Sequence, residues 1–186
     1  MANYNKKINE TTIRIGEVRF SYAHVFEPRQ DDKGQDKYGA AILIPKEDKG
    51  IVALIREAEE AARQKGKTSK WGGKVPANCK SPLRDGDADR EDDPTYAGMW
   101  FMNASCLQKP GVRVLENGRV SEALDHEDFY SGCWGAVTIS LFPYDSNGNR
   151  GVGAGLNNLI KTRDDERLAG GTSAEQDFAD LADELA

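Results

Sequence analysis

Hydrophobic and polar residues alternate along several short stretches of the chain, with the two-residue period of strands that bury one face. In residues 11–22, Ile13 and Ile15 and then Val18, Phe20 and Tyr22 alternate with mostly polar positions. Similar stretches predict further strands at 37–44, 96–106, 111–115, 133–144 and 151–160. The dipeptide Asn117-Gly118 favours a tight turn, so residues 111–122 are predicted to form a hairpin.

One long segment has helical spacing instead. Over residues 48–65, the apolar positions fall on one stripe, formed by Ile51, Leu54, Ile55, Ala58, Ala61 and Ala62. Asp48 is a suitable N-cap, and Gly66 is the expected end of the helix. Residues 27–36 and 67–94 are rich in turn-forming residues and predict loops. Many short strands with one main helix favour a small β-barrel or sandwich over alternating βαβ units.

Charge divides the 186-residue chain into a body and a tail. The net charge is −6, yet residues 164–186 contain eight acids and one base and carry −7, so the remainder carries +1. We therefore predict a flexible N-terminus at 1–10, a folded domain at 11–163 and an acidic tail at 164–186. Within the tail, Ser173 and Gln176 match a capping box, and one face of the following turns is apolar. That face, which predicts a partner-binding helix, consists of Phe178, Leu181 and Leu185.

Several classes of protein are disfavoured by the composition. The polar N-terminus has no apolar core of a secretory signal, and no run of 18 apolar residues predicts a membrane span. Cys79, Cys106 and Cys133 are odd in number and widely spaced, which favours three separate thiols in the reducing cytoplasm. No metal or other cofactor is expected, because the cysteines and the two histidines lack the close pairs of a zinc site.

The segment 63–84 has the composition of a nucleic-acid-binding loop. It contains seven basic residues and no acid: Arg63, Lys65, Lys67, Lys70, Lys74, Lys80 and Arg84. Trp71 lies among these lysines and two glycines, where its ring is predicted to stack on an unpaired base. The alternative is a solvated loop that the tryptophan anchors. In the strand at 96–106, Phe101 and Asn103 share a face and are predicted to extend the binding surface.

Three other patterns resemble functional motifs but lack essential parts. The acidic run 85–93 begins like a calcium loop, but Arg90 and Tyr96 occupy positions that require glycine and glutamate. Gly151, Gly153 and Gly155 have the wrong spacing for a dinucleotide site, and too little chain follows them. Asp125-His126-Glu127 could supply a general base, but no nucleophile motif accompanies it. The protein is therefore predicted not to be an enzyme.

The sequence resembles bacteriophage single-stranded DNA-binding proteins with an oligonucleotide-binding (OB) barrel, over about residues 15 to 180. The similarity is carried by these positions: Val18–Tyr22, Tyr38, Ile44–Lys46, Asp85–Asp87, Phe129–Gly132 and Gly151–Asn158, followed by the acidic tail. It implies a mainly β fold with an OB-like five-stranded barrel, additional strands, one main helix and a flexible C-terminal tail. A simple OB barrel has its helix between strands three and four, so a helix at 48–65 requires either two strands within 11–22 or an elaborated topology.

The resemblance also implies a function. The protein would coat and protect single-stranded DNA during phage replication or recombination, in the host cytoplasm. Its tail would regulate DNA binding and recruit phage or host replication proteins, although the tail ends in Leu185-Ala186 where many bacterial relatives end in phenylalanine. Two alternatives remain open at this stage: an OB protein that binds RNA, and an interaction module whose acidic tail mimics DNA to inhibit a partner.

Overall fold

The computed structural model describes residues 3–168, which form one nine-stranded sheet with helices on its outside. The strands are β1 Lys6–Lys7, β2 Thr12–Gln30, β3 Asp36–Pro45, β4 Arg84–Asp85, β5 Met99–Cys106, β6 Gly111–Glu116, β7 Arg119–Glu122, β8 Trp134–Ser146 and β9 Asn149–Arg163. The helices are α1 Lys49–Ser69, the short α2 Gly86–Asp89 and the 3₁₀-helix η1 Pro94–Tyr96. None of the described helices is both long and apolar enough to cross a membrane.

Five of the strands close into a barrel. They are hydrogen-bonded in the order β5-β3-β2-β8-β9, and β9 returns to pair in parallel with β5 at Ala104↔Ala154. The predicted mainly β fold with an OB-like five-stranded barrel is confirmed. Strands β1, β4, β6 and β7 are the additional strands, and β6 extends the sheet by pairing in parallel with β9.

The helix α1 follows the second barrel strand, β3, and precedes the third, β5. Because β2 is a single long strand, the early helix reflects an elaborated topology rather than a division of residues 11–22 into two strands. Asp48 caps the helix as predicted, since its Oδ1 accepts a hydrogen bond from the Ile51 backbone N–H at 3.2 Å. The apolar stripe of α1, which includes Ile51, Ile55 and Ala58, is buried against the barrel, chiefly at β8.

The barrel interior is the main hydrophobic core. Its fully buried side chains include Ile13, Ile15 and Phe20 of β2, Ile42 and Ile44 of β3, and Met102 of β5. A second, smaller core lies apart from it and consists of Ala41, Leu43, Tyr96 and Phe101. These residues come from β3, η1 and β5, so the segment between β4 and β5 covers the outer surface of the barrel at this end.

Two tight turns connect antiparallel strands, one between β2 and β3 and one between β6 and β7. Residues 27–36 were predicted to be a loop, but β2 continues to Gln30 and only residues 31–35 form the turn. Asp31 closes that turn, because its carboxylate accepts the backbone N–H groups of Lys33 and Gln35. The predicted hairpin at Asn117-Gly118 is confirmed, with both residues at positive φ between β6 and β7.

Candidate nucleic-acid interface

An irregularity in β2 turns Tyr22 away from the barrel. The pairing of β2 with β3 shifts register between Ser21 and His24, and Tyr22 has φ 46°, which is uncommon for a residue other than glycine. Its side chain is 53% exposed, whereas the adjacent Ser21 is buried. A strained residue that presents an uncovered ring is a feature that often marks a functional site.

Tyr22 lies at one edge of a shallow groove of about 230 Å³, called here the Tyr22 groove. Strands β2, β3 and β5 form it, and its lining includes His24, Arg29, Lys37, Tyr38 and Asn103. Lys37 is 3.3 Å from Asp31, while Arg29 has no ion-pair partner among the described residues. Burial, with smaller contributions from Arg29 and His126, lowers the pKa of His24. The groove therefore combines two aromatic rings with cationic side chains on the outer face of the barrel.

A second and larger groove, of about 750 Å³, lies beside the first and is called here the Lys80 groove. The segment leading to β4 forms one wall, with Lys80 and Arg84, and strand β9 forms the other, with Gly153 and Ala154. The backbone of Lys80 pairs with this second wall, donating to Arg150 O at 3.0 Å and accepting from Val152 N at 2.9 Å. Tyr144 also lines the groove near the turn between β8 and β9.

The two grooves adjoin on the outside of the barrel, because Asn103 lines both of them, and together they are called here the depression. The acidic side chains within it already have cationic partners. Asp89 pairs with Arg84 at 3.1 Å, and Asp85 pairs with Lys46 at 2.6 Å. Lys80 has no ion-pair partner within residues 3–168 and is exposed. The predicted site residues Lys80, Arg84 and Asn103 are thus brought together, and Asn103 is exposed as expected.

Trp71 does not occupy the exposed position that its lysine and glycine neighbours suggested. Its side chain is 7% exposed, and its Nε1 donates a hydrogen bond to the Tyr144 carbonyl at 3.1 Å. Gly66 allows this packing, because a Cβ there would meet the indole ring at 2.5 Å. The helix continues past its expected end at Gly66 to Ser69. The expectation that Trp71 is free to stack on bases was wrong, and the anchoring alternative describes the residue.

Phe101 was also expected on the exposed face with Asn103, but its ring is fully buried. Phe101 and Asn103 do lie on the same face of β5, as the alternation predicts. However, η1 covers this face only at the Phe101 end. Tyr96 packs edge-on against the Phe101 ring, with 5.1 Å between the ring centroids. The exposed aromatic residues of the surface are instead Tyr22 and Phe142, which lie on β2 and β8.

The other predicted cations line neither groove. Lys65, Lys67, Lys70 and Lys74 flank the buried Trp71 in sequence, and the hydrogen bond from Trp71 to Tyr144 ties this basic segment to a residue of the Lys80 groove. Arg63 is committed to the helix, since it pairs with the buried Glu59 at 2.7 Å. The prediction missed Arg29, Lys37 and Tyr144, which are separated in sequence from the basic run and carry no local signal.

Residues 164–168, called here the strap, cross the outside of the barrel after β9. Tyr130 Oη donates to Asp164 at 2.6 Å, and Trp134 Nε1 donates to Asp165 at 2.8 Å. The Leu168 N–H donates to the carbonyl of Ser131, whose hydroxyl in turn accepts the N–H of Ala23. The strap therefore ends near Ala23, the residue that follows Tyr22. Burial and the bond to Asp164 raise the pKa of Tyr130 to about 12.

The strap was assigned to the tail by its charge, yet its first residues make specific contacts with the body. The strap also explains why a glycine is needed at position 132, the last residue of the block Phe129–Gly132. Gly132 has φ 114°, and a Cβ there would collide with the Glu166 carbonyl. The predicted partner-binding residues Phe178, Leu181 and Leu185 lie outside the described residues.

The acidic run at 85–93 serves the fold through hydrogen bonds. Asp85 and Asp87 both accept from the Lys46 ammonium, at 2.6 and 2.7 Å, which ties the start of α2 to the end of β3. This ammonium lowers the pKa values of both carboxyl groups. Within residues 3–168, no three histidine, cysteine, aspartate or glutamate side chains are grouped as metal ligands would be. Cys79 and Cys106 are half-buried and Cys133 is buried, so the three thiols are separate as predicted.

Comparisons with known proteins point to one group of phage proteins. Residues 11–186 match the family described as Enterobacter phage Enc34, ssDNA-binding protein. The chain is 33% identical to "Putative protein p50" of Acyrthosiphon pisum secondary endosymbiont phage 1, over 91% of this chain and 94% of that protein.

Solved structures agree with the match. The single-stranded DNA-binding protein from bacteriophage Enc34, in its complex with ssDNA, is similar with a TM-score of 0.73 and 26% identity. The similarity covers 90% of this chain and 98% of that one. The single-stranded DNA-binding protein gp2.5 of bacteriophage T7 shares the fold, with a TM-score of 0.59 and 18% identity over 92% of this chain and 94% of that one.

Proposed function

The chain belongs to the Enc34 family of phage single-stranded DNA-binding proteins, and from this membership we propose that it binds single-stranded DNA along the Tyr22 and Lys80 grooves. The membership agrees with the family resemblance of the sequence, and it confirms that the protein is not an enzyme. A solved relative, the Enc34 protein, has been crystallised in complex with single-stranded DNA. That complex supports the ligand class proposed for the present chain.

One observation carries the proposed location: Asn103 lines both grooves, so the two adjoin on one side of the barrel. Cationic residues line it on both sides of Asn103, with Arg29 and Lys37 in one groove and Lys80 and Arg84 in the other. Such a depression can follow a phosphate backbone while its aromatic rings stack on bases. Duplex DNA would bind less well, because its bases are already stacked and paired.

The remaining predicted cations extend this surface. Lys65, Lys67, Lys70 and Lys74 would contact phosphates beyond the Lys80 groove, near Tyr144. This role requires that Trp71 anchors the segment rather than stacks on DNA, in agreement with its burial and its bond to Tyr144.

The biological role follows from binding without base selectivity. Stacking is available to every base, so the protein would coat single strands of any sequence during phage replication or recombination in the host cytoplasm. Residues 169–186 contain five acids and no base. We infer that this stretch competes with DNA for the groove and that Phe178, Leu181 and Leu185 dock on replication proteins as an induced helix.

Charge reversal at the two ends of the depression tests the binding site. Arg29→Glu and Lys80→Glu together should weaken binding to oligo-dT strongly. If each residue contacts one phosphate, the slope of log K against log salt should fall by about 1.4, because each contact with a single strand contributes about 0.7. Fluorescence titrations at several salt concentrations would measure both quantities.

Lys49→Glu is the matched control, since Lys49 is exposed at the start of α1 and lines neither groove. An unchanged slope in the double variant would place the DNA elsewhere on the protein. A wild-type protein with no affinity for oligo-dT would contradict DNA binding itself and favour the DNA-mimic alternative. Tighter binding to a matched oligoribonucleotide would favour the RNA-binding alternative, because contacts to the 2′-hydroxyl select RNA.

A further inference from the structure

The three alternating glycines of β9 have a structural partner on β8. In the register of the two strands, Gly151, Gly153 and Gly155 lie opposite Tyr144, Phe142 and Ser140. Residues two apart on a strand point to the same face, so these six positions form one outer strip of the barrel. These glycines, which do not match a dinucleotide site, therefore leave one face of β9 without side chains, next to Tyr144 and Phe142.

Gly153 is in contact with the ring of Phe142. A Cβ at Gly153 would meet the ring carbons Cζ and Cε2 at 2.8 and 3.1 Å, too close for any other residue without displacing the ring. Gly155 differs from Gly153 in this respect. The atoms nearest to a Cβ at Gly155 are Ser140 O at 3.5 Å and a Phe142 ring carbon at 3.8 Å, which are ordinary contacts. Glycine is therefore required at 153 for the ring and is not required by space at 155.

The Phe142 ring rests on the strand but is not covered from outside. The side chain remains 44% exposed, although phenylalanine is costly to leave in water. Gly153, on which the ring rests, also lines the Lys80 groove. An uncovered aromatic surface therefore adjoins a groove that presents the exposed Lys80 side chain.

The geometry points to Phe142 as a stacking platform for one nucleobase at the edge of the Lys80 groove, with Gly153 as the residue that positions the ring. The inference rests on the proposed DNA-binding function and names a contact within it. The ligand class is an unstacked base, because the surface offered is an aromatic ring with no hydrogen-bonding group of its own. Lys80 would neutralise a neighbouring phosphate.

A purely structural role makes a different prediction. Aromatic rings can stabilise a sheet by covering a glycine on the adjacent strand. In that case, removing the ring would lower the melting temperature and leave DNA affinity unchanged. Loss of the ring should therefore lower DNA affinity if Phe142 stacks on a base, and lower only the melting temperature if its role is structural.

Four variants of the full-length chain separate these roles. Phe142→Ala removes the ring, Phe142→Leu keeps an apolar cover without an aromatic face, and Gly153→Ala displaces the ring. Gly155→Ala is the matched control, since it makes the same change on the same strand without a clash. We expect the first three to bind oligo-dT about 5- to 140-fold more weakly, the range that corresponds to the loss of one base stack. The control should bind like the wild type.

Photochemical cross-linking provides a second readout. Irradiation of the wild-type complex with an oligonucleotide that contains 5-iododeoxyuridine should yield a cross-linked peptide that contains Phe142, and Gly153→Ala should reduce its yield. The platform is overturned if Phe142→Leu melts and binds like the wild type, or if Phe142→Ala melts early but binds normally. Failure of the platform alone would leave wild-type binding and its loss on Lys80→Glu intact. Failure of the proposed function would appear as a wild-type protein that does not bind oligo-dT.

Discussion

Glycine controls the position of larger groups at three sites in this protein. Gly66 allows the Trp71 indole to lie against α1, Gly153 supports the Phe142 ring, and Gly132 gives room to the strap. At the first two sites the contact is with an aromatic ring, yet only one of the rings stays exposed. The difference is what lies on the other side of the ring, since Trp71 is covered within the main core and Phe142 faces outward.

The burial of Trp71 leads to a prediction about stability. Trp71→Ala should lower the free energy of unfolding by about 3–5 kcal/mol, because a large buried side chain is lost and a cavity remains. Chemical denaturation would measure the change. DNA affinity, determined at a temperature at which the variant is folded, should change far less than in Lys80→Glu. A variant that melts normally but has lost affinity would show that Trp71 contacts DNA.

At the scale of elements, the strap joins the end of β9 to the loop before β8. Its two aspartates accept hydrogen bonds from Tyr130 and Trp134, and the Lys161 ammonium is 2.7 Å from Asp164. The pKa of Asp164 is lowered mainly by Lys161 and then by Tyr130, and the pKa of Asp165 is lowered first by Trp134. Carboxyl groups with lowered pKa values stabilise the folded state above their ordinary pKa, and this contribution is lost as the pH falls through the lowered values.

Two truncations test the strap. Deleting residues 169–186 should leave the melting temperature nearly unchanged, whereas deleting residues 164–186 should cost about 1–3 kcal/mol, since the Tyr130 hydroxyl and the Trp134 indole lose the carboxylates that accept their hydrogen bonds. The difference between the two proteins should be present at pH 7 and should shrink as the pH falls below the ordinary aspartate range. Thermal melts of both truncations across this pH range would measure it. Equal melting temperatures at pH 7 would mean that the strap does not stabilise the body.

At the scale of the whole molecule, charge and topology act together. The body is nearly neutral, yet Arg29 and Lys80, which have no ion-pair partner among residues 3–168, line the depression, while the acids Asp85 and Asp89 beside it are paired with Lys46 and Arg84. The strap ends at Leu168, whose N–H is bonded to Ser131 close to Tyr22. The described part of the chain therefore ends close to the strand that carries Tyr22.

Competition between the acidic tail and DNA can be tested by deleting only the residues that follow the strap. An 18-residue random coil has an average end-to-end distance of about 23 Å, so a tail of that kind would keep its acids near the groove at a high effective concentration. Deleting residues 169–186 removes five acids and changes the net charge from −6 to −1. Binding to oligo-dT should tighten at low salt, and the gain should shrink as salt screens the charges.

A full-length variant in which these five acids become amides is the matched control, because it keeps the length of the tail and removes its charge. It should bind DNA as tightly as the truncation. Equal affinity of the wild type and both variants at every salt concentration would exclude competition by the tail and leave only its proposed docking role.

The sequence alone determined the features that depend on neighbouring residues. Alternation located the barrel strands, the apolar stripe and Asp48 identified α1, and Asn117-Gly118 identified the hairpin, because these signals are local in the chain. Charge counting found the acidic end, and the motif blocks identified the family.

Tertiary structure decided which side chains are exposed. Trp71 and Phe101 looked like surface residues, but segments distant in sequence cover them, while the register shift in β2 exposes Tyr22. The candidate site could not be predicted as a whole, because Arg29, Lys80 and Tyr144 become neighbours of Asn103 only when the barrel closes. The boundary of the tail also depended on folding, since composition cannot reveal that Asp164 and Asp165 find donors on Tyr130 and Trp134.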